Sequence, residues 1–124
     1  MEEKKAKIWK KTRWRAHALA PKTSKKIIVT DVESGLQAIE KLRSHPPGTF
    51  DLVLTDVMMP DVDGVELLRH VRAEPSLRAV PVVMMSANEH AETVFECIRL
   101  GAEDYLLKPV GRKEVQHIWQ HVWR

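Results

Sequence analysis

Residues 51–64 read DLVLTDVMMPDVDG. Leu52, Val53 and Leu54 form a short apolar run between two aspartates, and Pro60 and Gly64 interrupt the chain soon after. A run this short, apolar on successive residues and closed by turn formers, reads as a strand buried on both faces. Three more runs of the same kind flank it: IIVTD at 27–31, VPVVMMS at 80–86 and DYLL at 104–107. The segments between them, 33–43, 65–73 and 88–100, are long enough for two to four helical turns. Leu36, Ile39 and Leu42 fall on one helical stripe, as do Leu68 and Val71, and Ala91, Val94, Phe95 and Ile98. Ser34 and Asn88 stand where N-caps are wanted, and Gly101 where a C-cap is wanted. A last helix over 112–123 presents Val115, Ile118, Trp119 and Val122 on one face. Strands alternating with helices imply an α/β fold with a parallel sheet, whose chemistry lies at the carboxyl ends of the strands.

Those ends carry polar groups in an otherwise apolar pattern. One strand closes on Asp31, the next on Asp56 and the third on Ser86; Lys108 follows the fourth, directly before Pro109. On neighbouring parallel strands these side chains converge on one edge. A carboxylate, a hydroxyl and an ammonium together suit a phosphoryl group. The carboxylate attacks, the other two hold phosphoryl oxygens, and a divalent cation offsets the clustered negative charge.

The whole chain has 124 residues, 44% hydrophobic and 30% charged, one domain's worth with an ordinary soluble composition. No apolar run approaches the roughly 18 residues of a membrane span, and the start has no apolar signal region. The single Cys97 excludes an internal disulfide. An intracellular protein of nucleus or cytoplasm is expected. The net charge of +3 is uneven: residues 1–26 hold ten Lys and Arg against two Glu, while 27–124 hold ten against fifteen acids. The expectation is a basic arm over 1–26, flexible or partly helical, and a mildly acidic domain over 27–124. Lys4, Lys5, Lys7, Lys10, Lys11, Arg13 and Arg15, with Trp9 and Trp14 among them, suit contact with nucleic acid. With no Gly-rich phosphate loop and no Ser/His/Asp motif, the residues do not indicate an independent enzyme.

The stretch DLVLTDVMMPDVDGVELLRHVR, then VPVVMMSA, then GAEDYLLKP, resembles the receiver domain of two-component response regulators. The closing KEVQHIWQHVWR is similar to the receiver-like domain of plant-type pseudo-response regulators, although Asp56 is retained. The resemblance implies a flavodoxin-like fold and phosphorelay signalling, with a histidine kinase or histidine phosphotransfer protein as donor. Asp56 would be the phosphoacceptor, Ser86 the switch hydroxyl, Tyr105 the aromatic that turns inward with it, and Lys108 the cation on the phosphoryl group, before a cis Lys108–Pro109 bond. Met58 would offer its backbone carbonyl to Mg²⁺. The output would be a changed surface from Asn88 to Tyr105 and on the last helix. The alternative implied function is a phosphate-independent pseudo-receiver that binds proteins in transcriptional or circadian regulation.

A receiver has five strands, the first ending in an acidic pair that binds Mg²⁺. Only four strands are legible here, and nothing in 1–26 reads as a buried strand. The fold is therefore expected to lack one strand and the first helix. The favoured arrangement moves residues 27–31 into the vacant central place beside 51–56, because an edge is cheaper to lose than a centre. Asp31 would then stand near Asp56 as a partial substitute ligand for Mg²⁺.

Overall fold

The computed structural model describes residues 6–13, 25–59, 61–87, 90–111, 113–114 and 116–118. In chain order the elements are β1 (Ala6–Arg13), β2 (Lys25–Val32), α1 (Gly35–Arg43), β3 (Leu52–Asp56), α2 (Gly64–Ala73), β4 (Val82–Ser86), α3 (Ala91–Arg99) and β5 (Asp104–Leu107). The strands form one sheet in the order β2-β1-β3-β4-β5.

This corrects the four-strand expectation. The central place is filled from the arm: Ala6–Arg13 is strand, not basic helix. It pairs with β2 through eight residues, Ala6 to Val32 up to Arg13 to Lys25, and with β3 from Ala6 to Thr55 up to Trp9 to Leu52. Residues 27–31, inside β2, sit at the edge and not at the centre. The physical reason is the one that makes a central gap costly. A slot between β2 and β3 would leave a row of backbone N–H and C=O groups unpaired on each side, and a strand filling it satisfies both. Helix propensity, a few tenths of a kcal/mol per residue, is the weaker preference.

The sheet is mixed, not parallel throughout. β1 runs antiparallel to both neighbours, whereas β3, β4 and β5 are parallel. A parallel neighbour needs a crossover of a dozen or more residues. Only residues 14–24 separate β1 from β2, and the first helix of a complete receiver would fall in those residues, outside the described ones.

β3 is buried along its whole length because both faces of the sheet are covered. On one face Ile8, Val32, Val53, Val82 and Met84 pack against Ala38, Ile39 and Leu42 of α1, Leu67, Leu68 and Val71 of α2, and Cys97 of α3. On the other, Leu52, Leu54, Val83 and Met85 meet Ile118, the buried residue of the final helical stretch.

Helix ends follow the local code. Ser34 caps α1 by accepting from the Gln37 N–H at 3.1 Å, as its sequence position suggests. Asp63 caps α2 through the Glu66 N–H at 2.9 Å. Asn88, the expected cap of α3, lies outside the described residues, as do Val115, Trp119 and Val122. Gly101 takes φ 103° just past α3, a left-handed conformation that glycine adopts without a Cβ penalty.

Two stripes turn out differently from the pattern. Leu36 is 47% exposed, while Ile39 and Leu42 are core. α3 buries Cys97 and leaves Phe95 at 71% and Ile98 at 49% exposure. The Ala91, Val94, Phe95 and Ile98 stripe thus faces outward from the sheet. None of the helices in the described residues is long and apolar enough to cross a membrane.

Candidate functional site

The site is built on the carboxyl ends of β3, β4 and β5. Asp56 is the last residue of β3, pairs in register with Met85 of β4, and is 4% exposed. Ser86 ends β4 and is half-buried. Lys108 follows β5, and the Lys108–Pro109 bond is cis, as the resemblance implied. Backbone bonds lock the three ends together. The Val57 N–H donates to the Met85 carbonyl at 2.9 Å, and the Lys108 N–H donates to the Ser86 carbonyl at 2.9 Å.

Lys108 reaches across the β4 end to Asp56. Its Nζ lies 2.5 Å from Asp56 Oδ1, with both side chains largely shielded from water. Low solvent access strengthens the attraction and raises the cost of losing either partner. The structure therefore joins Asp56 and Lys108 directly and sets Ser86 on the strand between them.

The loop after β3 is held by close packing. The Gly64 N–H donates to the Val57 carbonyl at 2.8 Å, and a Cβ on Gly64 would run into the Asp56 backbone carbonyl. Glycine is needed there to let the start of α2 approach the end of β3. Asp61 adopts φ 65°, a conformation that aspartate tolerates better than most side chains. Met58 is 59% exposed beside the site.

Tyr105 is half-buried on β5, opposite Met84, and packs against the main core cluster. It stands two positions before Leu107, the register partner of Ser86. Asp31 is placed elsewhere. It pairs with Lys7 of β1, which pairs in turn with Leu54 of β3, so two strand spacings, about 10 Å, separate Asp31 from β3. Lys7 Nζ contacts Asp31 Oδ1 at 2.6 Å on the exposed face. The edge position of β2 thus removes the expected seat of Asp31 beside Asp56.

A divalent cation needs several oxygen ligands, usually with more than one carboxylate. Among the described residues no group of three or more His, Cys, Asp or Glu converges. The part of β1 beside the site is Ala6, paired with Thr55, and Ala6–Arg13 contains no acid. The described donors do not fit a tightly held Mg²⁺.

Two supporting residues carry no strong sequence signal. Thr55 is fully buried, and its hydroxyl donates to the Asp56 carbonyl at 3.0 Å with Met59 Sδ at 3.5 Å. A threonine in a strand covered on both faces must find such partners, which is the only hint available beforehand. Arg72 donates from Nε and Nη2 to the Gly101 carbonyl at 3.0 and 2.7 Å, and from Nη1 to the Val80 carbonyl at 2.6 Å. Burial pushes its pKa down, and Glu103 acts in the opposite direction. It ties α2 to the loops before β4 and β5.

Comparison with known proteins agrees with this geometry. A family model described as the response regulator receiver domain matches residues 16–120. The two-component response regulator-like PRR73 of Oryza sativa subsp. indica is 42% identical over 99 residues, covering 77% of this chain and 12% of that protein. The two-component response regulator ORR25 of Oryza sativa subsp. japonica is 51% identical over 87 residues, covering 70% of this chain and 12% of that protein. The chain therefore spans about an eighth of the length of these curated relatives. Among solved structures, the receiver domain of the sensor histidine kinase PA1611 from Pseudomonas aeruginosa PAO1 is similar at a TM-score of 0.63 and 33% identity, over 73% of this chain and 71% of that one. That protein is described with a magnesium ion coordinated in its active-site cleft. A putative response regulator from Chloroflexus aurantiacus J-10-fl aligns at a TM-score of 0.66 and 26% identity, over 75% of both chains. β1 precedes the matched residues, so the central strand comes from sequence outside the family likeness. With its flavodoxin-like α/β sheet and these strand ends, the chain belongs to the response regulator receiver domain family.

Proposed function

We propose that the chain is a phosphorelay receiver module in which Asp56 accepts a phosphoryl group from a phosphohistidine on a histidine kinase or phosphotransfer protein. The observation that carries this reading is the Asp56–Lys108 contact at 2.5 Å, beside the Ser86 strand end. An Asp56 carboxylate oxygen attacks phosphorus, the P–N bond to the donor imidazole breaks, and the imidazole, already protonated on its other ring nitrogen, leaves as the neutral ring. Lys108 shifts from the carboxylate to the new phosphoryl oxygens, and the Ser86 hydroxyl donates to another. Movement of Ser86 draws on the space beside Tyr105 and is read out at α3, whose Val94, Phe95 and Ile98 face outward.

The described donor set makes this acceptor slow. Family receivers rely on Mg²⁺, which the described carboxylates here do not cage, so Mg²⁺ acts weakly. A low-molecular-weight phosphodonor with and without Mg²⁺, followed by intact-mass measurement, tests the reading. A low yield of singly phosphorylated chain that disappears in Asp56→Asn is expected. Absence of any adduct under every condition overturns it.

A second reading is a phosphate-independent interaction module, with a place in transcriptional or circadian regulation in the nucleus. The incomplete carboxylate set and the outward apolar face of α3 favour it. Asp56→Asn separates the two readings, because a phosphate-independent module binds its partner unchanged.

A further inference from the structure

α3 is fixed unevenly to the rest of the fold. Cys97 is its one buried residue. Its carboxyl end is pinned. Arg72 of α2 donates from Nε and Nη2 to the Gly101 carbonyl at 3.0 and 2.7 Å, and the Ala102 N–H donates to the Cys97 carbonyl at 2.9 Å. Its amino end has no side-chain cap. His90 precedes the helix without a capping bond, whereas Ser34 and Asp63 cap α1 and α2. That uncapped end follows Ser86 after residues 87–90.

Between these ends an ion pair crosses from α2 to α3. Arg69 Nη2 lies 3.4 Å from Glu96 Oε1. Each member also has a partner on its own helix. Arg69 Nε lies 3.7 Å from Glu66 Oε1 on α2. On α3, Arg99 Nη2 lies 2.7 Å from Glu96 Oε1 and Arg99 Nε 3.1 Å from Oε2. Both intrahelical pairs have the i, i+3 spacing at which helix side chains meet. Parting the two helices therefore leaves neither charge alone, because Arg69 keeps Glu66 and Glu96 keeps Arg99. The side chains of all four are also well reached by water, so what is lost is one weak contact and not a buried charge pair.

We infer that Arg69 and Glu96 form a reversible latch on α3: closed, it holds the helix against α2; released, it lets the helix pivot about its Arg72-pinned carboxyl end and part from the sheet over Cys97. The paired charges that remain on each helix make the release cheap and the return equally easy. The latch deepens the proposed function and rests on that reading for its trigger alone, since movement at Ser86 acts on the unpinned end of α3.

The single thiol of the chain reports on this motion, since Cys97 lies on α3 and is fully buried. The test labels the full 124-residue chain, without phosphodonor, using an uncharged aromatic disulfide, and follows the adduct by intact mass at one pH. Arg69→Glu and Glu96→Arg form a double-mutant cycle. Glu96 itself raises the Cys97 pKa, so rates are compared within one residue type at position 96. With Glu96 in place, Arg69→Glu sets like charges across the two helices and is expected to speed labelling about two- to fivefold, the range of an exposed pair. In the Glu96→Arg background the same change restores opposite charges and is expected to slow labelling. Any outcome without this change of sign overturns the latch. So does a labelling rate that rises with urea from its first addition, which marks global unfolding in place of local opening. No phosphodonor enters the experiment, so failure of the latch leaves the Asp56 reading standing. Failure of Asp56 to be phosphorylated leaves the latch standing without its trigger.

Discussion

Lys108 Nζ sits 2.5 Å from Asp56 Oδ1, with side-chain exposures of 14% and 5%. The Asp56 carboxylate is therefore neutralised by a residue that follows another strand, across the end of β4. Removing the ammonium leaves a buried negative charge without this partner. Such losses cost about 3–5 kcal/mol when fully buried. Lys108→Met is expected to lower stability by about 2–4 kcal/mol in urea unfolding at pH 7, and the second change Asp56→Asn is expected to recover much of it. Equal instability of the single and double variants contradicts the pairing.

Gly64 packs against the Asp56 backbone with no room for a Cβ. Gly64→Ala is expected to destabilise the fold by about 1–3 kcal/mol, as overpacking does. It also shifts the loop that follows Asp56, so phosphodonor labelling is expected to fall more than the unfolded fraction accounts for. Thermal unfolding and intact-mass measurement on the same sample check both parts.

Arg72 ends four hydrogen bonds on three backbone carbonyls: two on Gly101, one on Val80 and one on Arg78 at 3.2 Å. A lysine is a single point of charge and cannot reproduce this fork. Arg72→Lys is expected to cost about 1–3 kcal/mol, with amide exchange accelerated first around residues 78–80 and 101–103. Exchange that is uniform along the chain contradicts the role of Arg72 as a tie between α2 and those loops.

Cys97 is fully buried, and its thiol pKa is raised by desolvation, then by Glu96 and Asp63. Only the thiolate attacks a disulfide reagent. A raised pKa means less thiolate at any pH below it, so native Cys97 is expected to react far more slowly than a free thiol at pH 8. The difference is expected to narrow as pH rises and to vanish in denaturant. Rapid native labelling shows that α3 opens from the sheet.

Mg²⁺ meets a single site carboxylate among the described residues, and that carboxylate is already paired. Titration followed by amide shifts near residues 57–59 and 86–87 is expected to stay non-saturating at about 1 mM Mg²⁺, the weak end of built divalent sites. Saturation below that concentration, abolished by Asp56→Asn, shows that ligands from other parts of the chain complete the site.

Asp56, Ser86 and Lys108 were legible because each follows a short apolar run, and such a run names its own strand and its own end. α1 and α2 were legible for a similar reason, through apolar spacing and the Ser34 cap. The outward turn of Phe95 and Ile98 was not. Two apolar stripes compete on α3, and only packing against the sheet selects the one through Cys97. Thr55 and Arg72 were hidden because their partners are backbone carbonyls, including those of Gly101 and Val80, which no side-chain pattern announces.

By itself, then, the sequence determined the strand ends, the helices that join them and the positions of Asp56, Ser86 and Lys108 at those ends, since these depend on periodicity over a few residues. The tertiary structure decided what fills the middle of the sheet. Residues 6–13 are rich in Lys and Arg, and their composition leans toward helix. They become β1 because β2 and β3, far apart in sequence, leave two rows of backbone donors and acceptors that one strand can satisfy. The same choice sends Asp31 to the edge and into the hands of Lys7. Pairing between distant segments is a non-local free energy, and no window of sequence contains it.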